Sequence, residues 1–205
     1  MLKKIIIIIC LFLLVGCTKN ISDLSLEEII ETSINENTNL HNTNNKGYRY
    51  YLPAEFTVKK NSDFNQELLS HNKVYYLNID IVSYYYKSDY QIKRDIDDYK
   101  YYRFEHDDKI GYLKIRKNNE NFFVELCYNY AIIEVEVEES ELRYAVSRAI
   151  TILNSIKYND LVIENYINDN DLKSNETIYK IPEPKEKDDS RNILHYIEES
   201  EKEEE

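Results

Sequence analysis

The sequence predicts an α+β fold in which an antiparallel β-meander forms a sheet covered by a long C-terminal helix. Short polar turns separate four segments of alternating apolar residues, at 99–105, 109–117, 121–130 and 132–137. A single apolar stripe at helical spacing follows: Leu142, Ala145, Val146, Ala149, Ile150, Leu153 and Ile156. An antiparallel sheet with helices on its faces is an α+β architecture resembling an α-β-α sandwich.

The first half of the chain has weaker patterns. Ser25 and Glu28 have the spacing of a capping box, which predicts a short amphipathic helix at 25–34. Residues 35–46 are rich in asparagine, as is typical of a flexible linker. Between this linker and the meander, the sequence predicts strands at 48–52, 56–58 and 74–86 and a short helix at 64–69.

Charge is unevenly distributed along the chain, whose net charge is −12. Residues 48–158 carry 16 Lys and Arg against 18 Asp and Glu, whereas residues 183–205 carry 4 against 10. No basic patch stands out, so nucleic acid is not expected as a partner. After residue 158, the sequence predicts an acidic extension with a helical turn at 161–167 and an acidic helix at 190–205.

The first twenty residues have the order of a secretory signal. Two lysines precede an unbroken apolar run from Ile5 to Val15, and Gly16 and Cys17 follow. Eleven apolar residues in a helix would extend roughly 16 Å, which is short of a hydrocarbon core of about 30 Å. The length favours a cleaved signal peptide over a membrane-spanning helix.

The segment Leu14-Val15-Gly16-Cys17 resembles the lipobox of bacterial lipoproteins. The resemblance implies that the first three residues form the recognised cleavage site and that Cys17 carries the lipid. It also implies a protein held by its lipid on the extracytoplasmic face of the cell membrane. The predicted regions are a signal peptide (1–16), a lipidated N-terminus with a short helix and tether (17–47), an α+β domain (48–158) and an acidic extension (159–205).

A second resemblance covers residues 47–158. An early aromatic strand that ends at Leu52-Pro53, the meander, and a late helix that ends at 155–158 are similar to the PsbP-type fold, an α-β-α sandwich. The resemblance implies a non-enzymatic accessory or binding role and carries no site residues.

Motifs for catalysis are sparse. Only three glycines occur, which excludes glycine-rich phosphate loops. The densest group of potential metal ligands is Glu105-His106-Asp107-Asp108, and its members are consecutive on a predicted hairpin turn. Metal and hydrolytic sites need ligands that converge from separate elements, so a solvated turn is the favoured interpretation. No catalytic residue, metal or cofactor is therefore predicted.

Tyrosines offer a binding hypothesis. Fifteen of the twenty tyrosines fall in residues 48–130, and each ring offers an apolar body with a polar tip. Tyr84, Tyr86 and Tyr101 are predicted to form part of a face that binds a cell-wall or protein partner; the alternative is that they are ordinary strand residues.

The leading functional prediction for the chain is a non-catalytic binding or scaffolding module. The alternatives are a substrate-binding component of a transporter and a surface hydrolase.

Overall fold

The computed structural model describes residues 20–36, 39–88, 94 and 98–169. Among these residues lie four α-helices: α1 (Leu26–Asn35), α2 (Ile81–Tyr86), α3 (Leu142–Asn154) and α4 (Asp160–Asp169). The strands are β1 (Thr43–Asn45), β2 (Tyr48–Tyr50), β3 (Thr57–Asn61), β4 (Asn65–Ser70), β5 (Lys73–Ile79), β6 (Asp98–His106), β7 (Lys109–Asn118), β8 (Asn121–Tyr128), β9 (Ala131–Glu138) and β10 (Lys157–Tyr158). Short 3-10 helices precede α1 and α3, at Ile21–Asp23 and Glu139–Glu141.

The strands form a large sheet and a small sheet. The large sheet has the order β3-β4-β5-β9-β8-β7-β6, and the small sheet has the order β1-β2-β10. Every neighbouring pair is antiparallel. The α+β class is therefore confirmed, together with the meander from β6 to β9.

One face of the large sheet, the covered face, forms the core against α3. Val124 and Leu126 on β8 and Ile133 and Val135 on β9 pair across the two strands and are at most 1% exposed. α3 packs on these strands with its own apolar stripe fully buried. Burial of aliphatic side chains on this scale, at about 25 cal/mol per Å², stabilises the sheet and helix together.

The helix α1 lies beside α3 and belongs to the folded domain. The predicted capping box is confirmed, since the amide of Glu28 donates to Ser25 Oγ (3.1 Å) and the amide of Ser25 donates to Glu28 Oε2 (2.8 Å). Arg143 Nε, at the start of α3, donates to the carbonyl of Leu24 (2.9 Å), and Asn154 Nδ2, at its end, donates to that of Ser33 (2.8 Å). The two helices therefore run parallel.

Because of this packing, part of the predicted tether belongs to the folded domain. Residues 17–47 were expected to form a short helix and a flexible spacer outside the domain, but Ile29 and Ile30 of α1 are buried at 3% and 0% exposure. Thr43–Asn45 forms β1, and Asn42 Nδ2 donates to the carbonyl of Leu52 (2.8 Å). The folded domain therefore includes α1, because the apolar face of this helix is buried against α3.

Two elements before the meander differ from the sequence prediction. The expected helix at 64–69 is the strand β4, in which Gln66, Leu68 and Ser70 are buried on one face. The expected strand at 74–86 ends at Ile79, and α2 follows because the Asp80 side chain accepts the amide of Ser83 (2.8 Å) as an N-cap.

The end of the domain also differs from the prediction. α3 is a 13-residue helix that ends at Asn154, and β10 and α4 follow it, so the long C-terminal helix is not present in this form. Ile163 and Ile167 on α4 are buried at 1% and 8% exposure, which extends the domain beyond the predicted boundary at 158. The predicted acidic extension otherwise lies outside the described residues.

Candidate functional site

The small sheet forms one wall of a cleft, and Gly47 allows its hairpin to close. Gly47 lies in the turn between β1 and β2 with a φ of 80°, a left-handed conformation that side chains disfavour. A Cβ atom there would lie 2.9 Å from Ile163 Cγ1 on α4. The carbonyl of Gly47 also accepts the amide of Asn159 (2.8 Å), so the hairpin and the start of α4 are held together.

Strand alternation on β2 separates buried tyrosines from an exposed cation. Tyr48 and Tyr50 are 3% and 0% exposed, and Tyr50 Oη donates to Gln66 Oε1 of the large sheet (2.7 Å). Arg49 lies between them and is exposed. Its register partners are Asn44 on β1 and Lys157 on β10, which are exposed as well. A polar and cationic row therefore crosses the outer side of the small sheet.

The row opens into a cleft of about 660 Å³. Residues from β1, the turn, β2, β10 and the start of α4 line it: Asn44, Asn45, Lys46, Gly47, Tyr48, Arg49, Lys157, Tyr158, Asn159, Asp160, Leu161 and Val162. Its volume is within the range of about 300–1,000 Å³ that is typical of ligand sites.

Tyr84 contacts two residues that line the cleft, Tyr158 on β10 and Asp160 on α4. Its hydroxyl donates to Asp160 Oδ1 (2.6 Å), and its ring stacks on Tyr158 with 3.9 Å between centroids. Burial and the hydrogen bond to Asp160 raise the pKa of Tyr84 well above its usual value. Tyr84 therefore stays a neutral donor at physiological pH and positions the first turn of α4.

The cations of the cleft differ in their surroundings. Lys46 Nζ lies 3.4 Å from Asp63 Oδ2 and 4.1 Å from the centroid of the Tyr166 ring. Within the described part of the chain, no ion pair or hydrogen bond of the Arg49 or Lys157 side chain is found. Burial and the nearby Lys157 ammonium lower the pKa of Lys109, so a fourth cation lies within electrostatic reach of Lys157.

The three tyrosines predicted as a binding face occupy different places. Tyr84 and Tyr86 lie on α2, where Tyr84 is half-buried and Tyr86 is 59% exposed. Tyr101 lies on β6, an edge strand four positions from β5 in the large sheet, at roughly 5 Å per strand. No ring contact joins Tyr101 to the other two among the described residues. Their role as one face stays a prediction.

The predicted acidic turn at residues 105–108 lies between β6 and β7. Glu105, Asp107 and Asp108 are exposed around the β6–β7 turn, and His106 Nε2 lies 3.7 Å from Asp107 Oδ2. Among the described residues, no group of three or more His, Cys, Asp or Glu is arranged to hold a metal ion.

Cys127 is fully buried, and burial raises the pKa of its thiol, so the thiolate is suppressed.

A pair of carboxylates lies on the second face of the large sheet. Glu125 on β8 is the register partner of Glu134 on β9. Tyr112 Oη donates to Glu125 Oε1 (2.5 Å), and Arg116 Nη2 lies 3.8 Å from Glu125 Oε2. Burial and the neighbouring Glu125 charge raise the pKa of Glu134 to about 7. Glu134 therefore titrates near neutral pH.

Sequence reasoning missed the cleft, although the alternation Tyr48-Arg49-Tyr50 is a signal that could have placed the arginine on the outer side of the strand. The cleft needs β10, which was interpreted as the end of a helix, and α4, which was interpreted as an extension. Cys17 and the residues of its cleavage site lie outside the described residues. None of the described helices has both the length and the apolar character needed to span a membrane.

The described residues between 20 and 169 form an α+β domain with a cationic cleft beside its small sheet. No protein-family model matches the chain, and neither a curated protein nor a solved structure matches it.

Proposed function

We propose that the chain is a lipid-anchored, extracytoplasmic lipoprotein whose domain is a non-catalytic binding module, with the cleft beside the small sheet as its ligand site. The observation that carries the proposal is the position of the cleft relative to the start of the domain. Leu24 contacts the first turn of α3, whereas β10 begins directly after the end of α3. The cleft and the N-terminal end are thus separated by about 20 Å, the length of 13 helical residues.

The spacing to Cys17 supports an arrangement close to the membrane. Three residues lead from Cys17 to Asn20, where the described fold begins, and they can span at most about 11 Å. An anchor at Cys17 holds the N-terminal ends of α1 and α3 near the lipid and directs the cleft away from it. The cleft is then open to ligands of the extracytoplasmic space.

The accessory role implied by the PsbP resemblance belongs to the same proposal. Element order supports it, since an early strand, a meander and a covering helix follow one another in residues 47–158. A full α-β-α sandwich also requires helices on the second face of the large sheet. A transporter component is the weaker proposal, because it needs a pocket between two lobes, whereas this cleft lies at one end of a single domain.

The test combines anchoring with orientation. Cys17→Ala should abolish lipid labelling and membrane fractionation, and retention at the membrane without lipid would refute the anchor.

For orientation, Ser22→Cys and Leu161→Cys place single reactive thiols at exposed positions near the two ends of α3. The buried Cys127 should stay unlabelled.

With a fluorophore on each thiol, quenchers embedded in the lipid should quench the label at residue 22 strongly and the label at residue 161 weakly. Quenching depends on distance over a few ångström to tens of ångström, and the two positions differ by about the length of α3. Equal quenching of both labels would contradict the proposed orientation.

A further inference from the structure

We propose that the cleft binds an acidic peptide segment, whose carboxylates contact Arg49 and Lys157 and whose apolar side chains lie against Leu161 and Val162. The inference names the ligand class of the site proposed above and rests on that proposed function. It does not depend on the lipid anchor, so the two proposals can fail separately.

The first support is a pair of like charges on neighbouring strands of the small sheet. Arg49 and Lys157 are direct partners across an antiparallel strand pair, where like charges destabilise a sheet. Some other cations of the described residues do form ion pairs, for example Lys60 with Glu67 (2.7 Å) and Lys100 with Glu27 (2.8 Å). A chain with a net charge of −12 has many carboxylates that could neutralise the row. An anionic ligand would supply the missing counter-charge.

The carboxylate within the cleft does not fill this role. Asp160 accepts a hydrogen bond from Tyr84 on the α4 side, and Lys46 already lies beside Asp63. Arg49 and Lys157 remain as the cations of the cleft that are available to a ligand. A guanidinium beside an ammonium suits a carboxylate, because the planar fork of arginine can hold both oxygens.

The second support is the apolar rim of the cleft. Leu161 is 72% exposed and Val162 is 37% exposed, and both line the cleft beside the cations. A peptide with apolar side chains would bury this surface at about 25 cal/mol per Å². The exposed amide of Asn44, next to Arg49 in the row, can both donate to and accept from a peptide backbone.

These apolar positions distinguish a peptide from other anions. Neither a polyphosphate chain nor a lipid headgroup has an apolar side chain to cover Leu161 and Val162. The two cations alone would attract an acidic peptide, a polyphosphate or a lipid headgroup. The combination of cations, amide and apolar rim favours the acidic peptide.

The experiment uses the full-length chain in detergent and four probes. They are a short acetylated peptide of alternating glutamate and leucine, the same peptide with glutamine for glutamate, inorganic polyphosphate, and vesicles of phosphatidylglycerol. We expect the glutamate peptide to bind most tightly, with an affinity that falls as salt is raised. Preference for polyphosphate, for the vesicles or for the glutamine peptide would overturn the proposal.

Matched variants test the site itself. The double variant Arg49→Gln with Lys157→Gln should weaken binding of the glutamate peptide by about tenfold or more, since two charge-assisted contacts are lost. The control pair Lys59→Gln with Lys117→Gln removes the same charge from exposed positions on β3 and β7 and should change affinity by less than about twofold. Equal loss in both pairs would overturn the proposal, because it would reduce binding to net charge.

The apolar rim has its own test. Leu161→Asn should weaken binding of the glutamate–leucine peptide by about fivefold, while binding of a glutamate–serine peptide should stay the same, since only the former covers the rim. Equal effects on both peptides would refute the apolar contact. Circular dichroism of each variant verifies that the domain remains folded.

Discussion

The large and small sheets use the same strand alternation for opposite purposes. On the large sheet it places Val124 and Leu126 beneath α3 with no exposure. On the small sheet it buries Tyr48 and turns Arg49 outward beside Lys157. The difference indicates that packing dominates the large sheet, whereas the small sheet retains a charge arrangement that costs stability. Substitutions in the two sheets should therefore have different consequences.

The largest expected effect comes from the covered face. Leu126→Ala removes a fully buried side chain between β7, β8 and β9, and should lower the free energy of unfolding by about 3 kcal/mol through lost burial and a cavity. Urea denaturation measures the change. Leu161→Ala is the matched control on the cleft rim and should alter stability by no more than about 0.5 kcal/mol. Similar losses in both variants would contradict the contrast between the sheets.

Gly47 tests how far the small sheet depends on its turn. Gly47→Ala introduces a Cβ atom at a φ of 80° and within 2.9 Å of Ile163, so it should cost about 1–2 kcal/mol. Hydrogen exchange should accelerate first in α4 and less in β8. Asn44→Ala, at an exposed position in β1, is the control and should leave both regions unchanged.

Glu134 gives the large sheet a pH dependence. The pKa of Glu134 is about 7 in the folded chain against an ordinary value of 4.5, so the folded state binds the proton more tightly. This contribution to stability is fully present below about pH 4.5 and is lost as pH rises through about 7.

Glu134→Gln should remove this loss and stabilise the domain at pH 8, by on the order of 1 kcal/mol after allowance for solvent screening. Urea denaturation at pH 5 and pH 8 measures it. The exposed Glu136 provides the control substitution, Glu136→Gln, which should leave the pH dependence unchanged. An unchanged pH dependence in the Glu134 variant would refute the assignment.

The smallest expected effect is a gain in stability, and it concerns a substitution in the small sheet. Arg49→Glu places an acid opposite Lys157 and should raise the free energy of unfolding by about 0.5 kcal/mol, because a repulsive pair becomes attractive. The same change should abolish binding of the glutamate–leucine peptide. Lys59→Glu, on the exposed strand β3, should do neither. A loss of stability in Arg49→Glu would show that the arginine has a structural partner.

The elements that sequence predicted correctly are those whose signal is local. The hairpins of β6 to β9 have alternating residues with turns between them, and the capping box of Ser25 and Glu28 lies within one helical turn. Local patterns failed where a long-range partner decided the conformation. Residues 65–70 form a strand because they pair with β3 and β5, and Gln66 then meets Tyr50 of the small sheet.

The candidate site could not be assembled from the sequence for the same reason. Arg49 and Lys157 are far apart along the chain and become neighbours only when β10 pairs with β2. Likewise, the apolar face of α1 appeared to belong to a spacer, and only its burial against α3 includes it in the domain. The role of Tyr84 in a binding face stays a prediction, and its hydrogen bond to Asp160, 76 residues away along the chain, is another contact that only the tertiary structure shows.

By itself, the sequence determined the α+β class, the meander, the capped first helix and the expectation of a lipidated Cys17, because each depends on residues adjacent along the chain. Tertiary structure alone decided that α1 and α4 belong to the domain and that the small sheet closes a cleft. These features arise from burial of Ile30 on α1 and Ile163 on α4 against distant elements. Hydrophobic burial is non-directional, so its partners become known only when the chain has folded.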